Sequence, residues 1–123
     1  MDNYYCVFVF HGSKNVESEN TIKNFSDNLK NRIECSFSIC YLKEKSPTLS
    51  EALEEAYNNG FKQINCFPLF VLPGSHITKD IPAAIQEFKS RHTDCVIKQM
   101  PCLTENKSFV NFIISAIGEN TNG

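Results

Sequence analysis

Two short segments of this 123-residue chain carry residue types suited to chemistry: His11-Gly12-Ser13 and Pro73-Gly74-Ser75-His76. Neutral imidazole ligates divalent iron, cobalt, nickel and zinc, and near neutral pH it also takes up a proton. Two imidazoles in one crevice could therefore hold a cation loosely and receive protons from the molecule that accepts it. The small residues beside them, Gly12, Ser13, Gly74 and Ser75, let backbone approach a flat ligand closely. Lys14 and Lys79 follow the two segments and add positive charge. Both segments lead into expected helix N-termini, whose unpaired N–H groups and partial positive charge favour carboxylates. The remaining histidine, His92, falls where a helix should end. There a cation meets the negative end of the helix dipole, so it is assigned no catalytic role.

Remote segments meet only if the fold brings them together, and the apolar pattern says how. Tyr4 to Phe10 is apolar at consecutive positions, as expected of a strand covered on both faces in a parallel sheet. Further strands are expected at about 33–42, 63–72 and 95–100, with Pro68 marking a bulge or an unpaired edge in the third. Between them lie amphipathic stretches. Ile22, Phe25 and Leu29 form one helical face. Thr48 and Glu51 form a capping box ahead of Leu49, Ala52, Leu53 and Ala56, and Gly60 ends that helix. Asp80 is the expected N-cap of a third helix with Pro82 in its first turn and Ile81, Ala84, Ile85 and Phe88 on its apolar face. A last helix over about 105–117 should turn Phe109, Phe112, Ile113 and Ala116 inward.

This alternation predicts one α/β domain over residues 1–118, with 119–123 as a frayed tail. A four-stranded parallel sheet in order 2-1-3-4, with helices on both faces, follows from right-handed crossovers. In that order the chain reverses direction between strands one and three, and ligands of open α/β sheets bind at such a switch point. His11 follows the first strand and His76 the third. Phe70, near the end of the third strand, is a candidate pocket wall.

Composition narrows the partners. A net charge of -2 with no basic block argues against nucleic acid. No apolar run approaches the ~18 residues of a membrane helix, and no signal peptide precedes the first strand, so a cytoplasmic, membrane-independent protein is expected. The six cysteines include no C-x-x-C pair, which favours reduced, buried thiols over disulfides or a zinc or iron–sulfur site. The absence of Gly-x-Gly-x-x-Gly or Walker-type loops weakens the competing flavodoxin-like nucleotide- or phosphate-binding reading.

An apolar strand ending in His11-Gly12-Ser13, then Pro68-Leu69-Phe70-Val71-Leu72-Pro73-Gly74-Ser75-His76, then Asp80-Ile81-Pro82, together resemble the CbiX-type sirohydrochlorin chelatases of the short class. The resemblance implies an ATP-independent lyase that inserts Co2+, Fe2+ or Ni2+ into sirohydrochlorin, for cobalamin, sirohaem or nickel-tetrapyrrole synthesis. It implies His11 and His76 as the catalytic, metal-handling pair, the metal as substrate with no permanently bound cofactor, and a homodimer whose switch-point faces form the cleft. Gly12, Ser13, Lys14, Phe70, Gly74, Ser75 and Lys79 would contact the macrocycle. The sequence departs from the family pattern at Lys14, where arginine is frequent, at Lys43, where an acid often ends the second strand, and at Pro101-Cys102-Leu103, where glycine is usual. Glu44 is the nearest substitute in sequence for the missing acid. A non-catalytic tetrapyrrole or metal carrier with the same pocket is the rival function.

Overall fold

The structure, a computed structural model, describes residues 3–122 apart from the side chains of His76 and of residues 119–122. Its strands are β1 (Tyr4–Phe10), β2 (Ser36–Tyr41), β3 (Gln63–Pro68) and β4 (Val96–Gln99). Its α-helices are α1 (Val16–Lys30), α2 (Leu49–Asn58), α3 (Ile81–Arg91) and α4 (Lys107–Asn122). All strand pairs are parallel and the order is β2-β1-β3-β4, as expected from sequence.

Side-chain alternation gives the sheet two unlike faces. On the inner face Val7, Val9, Cys40, Ile64 and Cys66 are buried against Leu49, Ala52, Leu53 and Ala56 of α2 and Ile81 and Phe88 of α3. This is the core, and α2 owes its position to it: both halves of the Thr48–Glu51 capping box are formed, and its four apolar positions are all buried. Truncating the fully buried Leu53 to alanine would cost about 2–5 kcal/mol. On the outer face α1 covers β1 through Phe25, whose ring meets Phe8 and Phe10 edge-on at 5.8 and 5.9 Å. Helices therefore lie on both faces.

Several sequence expectations are corrected. Of the two expectations for Pro68, the bulge is overturned and the locally unpaired edge holds: the proline is the last residue of β3, buried and in register with Val9. Because Leu69 donates to Val9, alternation aims the missing N–H of residue 68 toward β4, which ends at the partner of Cys66. Asp80 is not an N-cap. Its backbone is helical and its side chain makes no capping bond, because a π-helical turn over His76–Asp80 runs straight into α3. Phe112 and Ile113 are exposed rather than turned inward. Finally, α4 continues to Asn122, past the boundary expected at 118; the side chains of the expected tail, and Gly123, lie outside the described residues.

The six cysteines are unpaired, and five of them are buried. Burial pushes the Cys66 thiol up to about 12. Burial and then the Cys35 sulfur 3.6 Å away push Cys6 to about 12 as well. Such thiols stay protonated and pack as small apolar groups.

Candidate functional site

The two histidine segments leave the carboxyl ends of adjacent strands. The amide of Leu69 donates to the carbonyl of Val9 at 2.9 Å, fastening the end of β3 to the end of β1 just before the chains diverge. His11 follows β1 directly and is exposed. Its Nδ1 lies 3.3 Å from the Gly12 carbonyl, a long local contact, and its own carbonyl accepts from the Lys43 amide at 2.9 Å. The end of β2 is laced to the same segment by Leu42 donating to the Phe10 carbonyl at 3.0 Å.

Gly12 explains why this segment holds its shape. It sits at φ +110°, and a Cβ there would lie 1.9 Å from the Lys43 carbonyl oxygen. The expectation that Gly12 admits a flat ligand thus acquires an internal reason: glycine is required for the close approach of the chain's own backbone. Gly74, by contrast, faces open space, leaving room beside it. Ser13 accepts from the Asn15 amide at 3.1 Å, and Asn15 caps α1 by accepting from Ser18 at 3.1 Å. Sequence reading missed this cap, although an asparagine followed by Glu17 and Glu19 in the first turn is the signal for one.

On the β3 side, Leu69 to Ser75 lead to the π-helical turn that His76 begins. The Gly74 carbonyl anchors that turn by accepting from the amides of Ile77 and Thr78, each at 3.0 Å, and from the Thr78 hydroxyl at 3.1 Å. Ile77 is buried, fixing the turn to the core, whereas Ser75 and Lys79 are exposed. π-helical turns recur at functional sites because they re-aim side chains within an otherwise regular helix. The His76 side chain lies outside the described residues, so the structure places its backbone only. Phe70 is half-buried against the core, and its carbonyl accepts from Leu103 at 3.0 Å. Lys14 is exposed ahead of α1.

Beside these loops is a small recess of ≈ 180 Å³ lined by Tyr41, Leu42, Lys43, Thr48, Asp80 and Ala84, among others. Asp80, expected only to start a helix, thus lines the same recess as Lys43. Glu44, the acid suggested by sequence, is exposed, and the backbone turns left-handed there at φ 64°. Lys45 then bends back to pair with Glu19 of α1 at 3.0 Å, with its ammonium 5.0 Å from the centre of the Tyr41 ring. Larger recesses lie away from the histidine loops, one of ≈ 520 Å³ between α3 and β4 and one of ≈ 770 Å³ on the outer sheet face.

His92 is built differently. It is the C-cap residue of α3, as expected, but its ring also stacks on Tyr57 at 4.0 Å between centroids, and its Nε2 lies 2.9 Å from a Glu54 carboxylate oxygen. Partial desolvation raises the Glu54 pKa, yet hydrogen bonds from Arg91 and His92 outweigh it and hold the carboxyl below its ordinary value. This cluster lies at the end of α3 opposite the π-helical turn. It is a structural clamp.

The CbiX family model matches residues 5–120. A sirohydrochlorin ferrochelatase of Priestia megaterium is 25% identical over 92% of this chain, which spans 43% of that relative's length. A CbiX protein of Marinobacter aquaeolei VT8 superposes with a TM-score of 0.81 at 24% identity, covering 97% of this chain and 98% of that one. The sirohydrochlorin chelatase SirB of Bacillus subtilis subspecies spizizenii, solved in complex with cobalt, gives 0.74 at 24% identity over 81% of this chain and 43% of its own.

Proposed function

The chain belongs to the CbiX family, and from that premise we propose that it inserts a divalent metal, Co2+ or Fe2+ with Ni2+ as a further substrate, into sirohydrochlorin. One observation carries the reading: two histidine-bearing segments emerge side by side from the carboxyl ends of the neighbouring strands β1 and β3, at the switch point of the sheet. The reaction exchanges two pyrrole protons for one M2+, so the site must deliver a partly dehydrated cation and receive protons. His11 and His76 are assigned both tasks. An exposed imidazole such as that of His11 can meet a flat ring and can also let the metal go, whereas a closed, four-ligand site would retain it.

Lys14 and Lys79 are assigned to the carboxylates of the macrocycle, and Ser13, Ser75, Gly12, Gly74 and Phe70 to the walls of its site. A single chain offers one such wall, so the complete cleft is assigned to a homodimer pairing the two switch-point faces. The metal is substrate and no resident cofactor is invoked. The reaction is placed in the cytoplasm, where unpaired thiols such as these six remain reduced.

Purified protein mixed anaerobically with sirohydrochlorin and Co2+, Fe2+ or Ni2+, without ATP, should change the visible spectrum faster than the same mixture lacking protein. Equal rates with and without protein for all three ions would remove the reading. Stoichiometric pigment binding without turnover would replace it with the carrier function. Comparing the three ions also fixes metal choice, which two imidazoles cannot dictate.

A further inference from the structure

The six thiols of the chain fall into two environments. Cys40, Cys66, Cys95 and Cys102 are at most 2% exposed and pack in the core. Cys6 and Cys35 meet on the other face of the sheet. Alternation along β1 turns Cys6 to the same side as Phe8, away from Val7 and Val9, and Cys6 stands opposite Phe37 in the ladder with β2. Cys35 lies in the bend that precedes β2, two residues before Phe37. A separation of 29 residues, with α1 between them in the chain, is closed to a sulfur–sulfur distance of 3.6 Å.

The pair opens to solvent on one side. Cys6 and Cys35 both line the ≈ 770 Å³ recess of the outer face, with Phe8, Phe67, Arg32 and Asn65 around them. Access within the pair is unequal: Cys6 is 4% exposed, whereas Cys35 is half-buried. Burial, and then the neighbouring sulfur, keep the Cys6 thiol protonated, so a reagent arriving through the recess meets Cys35 first. A second sulfur stands directly behind it. A disulfide has a sulfur–sulfur length of about 2.05 Å, so the two must close by about 1.5 Å. Cys35 precedes the first paired residue of β2, and its movement therefore breaks no strand pairing.

We propose that Cys35 and Cys6 form a reversible redox site, reduced at rest, in which Cys35 reacts with a hydroperoxide and Cys6 resolves the product into an intramolecular disulfide. In the first step the Cys35 sulfur gives up its proton and attacks the peroxide. An S–O bond forms, the O–O bond breaks, and the proton leaves with the departing oxygen as water or alcohol, so that Cys35 becomes a sulfenic acid. In the second step the Cys6 sulfur attacks the Cys35 sulfur. An S–S bond forms, the S–O bond breaks, and the Cys6 proton leaves with the hydroxide as water. Two thiols are oxidised by two electrons and one peroxide is reduced. A resolving sulfur already in contact outruns a second peroxide, which would carry Cys35 to a sulfinic acid that thiols do not restore. Cys6 lies about 16 Å along the extended chain from His11, and the redox site is independent of the chelatase reading.

Fully reduced protein treated with one equivalent of hydrogen peroxide, then denatured and alkylated, should lose two of its six thiols. Proteolysis without reductant should give a peptide joining Cys6 to Cys35 within one chain, and dithiothreitol should return both thiols. Cys35→Ser replaces a half-buried side chain outside the strands and should keep the wild-type far-UV spectrum. It should slow peroxide-driven thiol loss by about tenfold or more and leave Cys6 open to alkylation after denaturation. Cys6→Ala should keep the reaction at Cys35 but end it at the sulfinic acid, which dithiothreitol does not reverse.

A wild type that keeps all six thiols overturns the redox site. So does a disulfide joining any other two cysteines or two chains, or a Cys35 sulfinic acid beside a free Cys6. These results are read on the wild type and stand whether or not either variant folds. Oxidation of Cys6 in Cys35→Ser at the wild-type rate would also overturn it, because the buried sulfur would then be the point of entry.

Discussion

The chain places histidines at both ends of its sheet, and the two ends treat them in opposite ways. At one end His92 is half-buried, stacked on Tyr57 and paired with Glu54, which also takes a hydrogen bond from Arg91. At the other, His11 is exposed on a segment whose backbone is fixed by Lys43 and whose ring makes a long contact to its own neighbour's carbonyl. A histidine that stabilises a fold is held by its side chain. The histidine assigned here to metal handling is instead held through its backbone and lies at the exposed surface. The proposed function assigns chemistry to the second kind and structure to the first.

The strongest way to break this contrast is at the second position assigned to metal handling. His76→Ala should lower metal insertion by about 10²–10⁴-fold, the scale of a lost general base, while the urea midpoint stays at the wild-type value. A variant with normal turnover would show that the β3 side of the site is only scaffold.

Gly12→Ala attacks the backbone support instead of the imidazole. Its Cβ would collide with the Lys43 carbonyl, and its left-handed φ is unfavourable for alanine, so a loss of about 1–3 kcal/mol by urea unfolding is expected. Turnover should fall with it, because His11 is the adjacent residue. If stability drops and turnover per folded molecule does not, the shape of the segment is irrelevant to catalysis.

His92→Ala should show the reverse profile. Loss of the Tyr57 ring contact and of the partly exposed contact to the Glu54 carboxylate should cost about 1–2 kcal/mol, with turnover unchanged. That is more than a bare helix-end charge would contribute, which is how the clamp corrects the sequence reading. Equal effects of His11→Ala and His92→Ala on stability would erase the distinction between the two ends.

The smallest expected effect is in pH. The Glu54 carboxyl is held below its ordinary value, so its contribution is present above the unfolded carboxylate pKa, near 4.3, and is lost as pH falls through the folded value. Asp94 is shifted the same way by hydrogen bonds from Lys62 and Tyr57. Thermal unfolding scans from pH 6 downward should therefore show Glu54→Gln converging on wild type at low pH. A gap that persists or widens in acid would contradict the assignment.

Where the sequence was legible, one physical signal determined one local outcome. Continuous apolarity over Tyr4–Phe10 specified a central parallel strand, and the Thr48–Glu51 pair specified the start of α2. The position of His11 directly after β1 then followed, whereas β3 ends at Pro68 rather than near 72, so that His76 begins a turn beyond a longer loop than expected. Failures occurred where a signal has two physical outcomes. The stripe on α4 reveals an apolar face but not the surface that covers it, so Phe112 and Ile113 were placed inward. Asp80 before Pro82 reads as a cap because a π-helical turn running into α3 has no comparable signature. Pro68 reads as either a bulge or an unpaired edge, and only the structure, in which β4 ends where its missing donor points, selects the second. The clamp around His92 joins residues from α2 and α3, a long-range contact that no local pattern encodes.

The most direct measurement is the initial rate of sirohydrochlorin metallation by His11→Ala relative to His92→Ala, under anaerobic conditions at equal concentrations of folded protein. The expected ratio is about 10⁻² or lower, with His92→Ala close to wild type. A ratio near one, with both proteins folded, would contradict the assignment of the chemistry to the carboxyl end of the sheet.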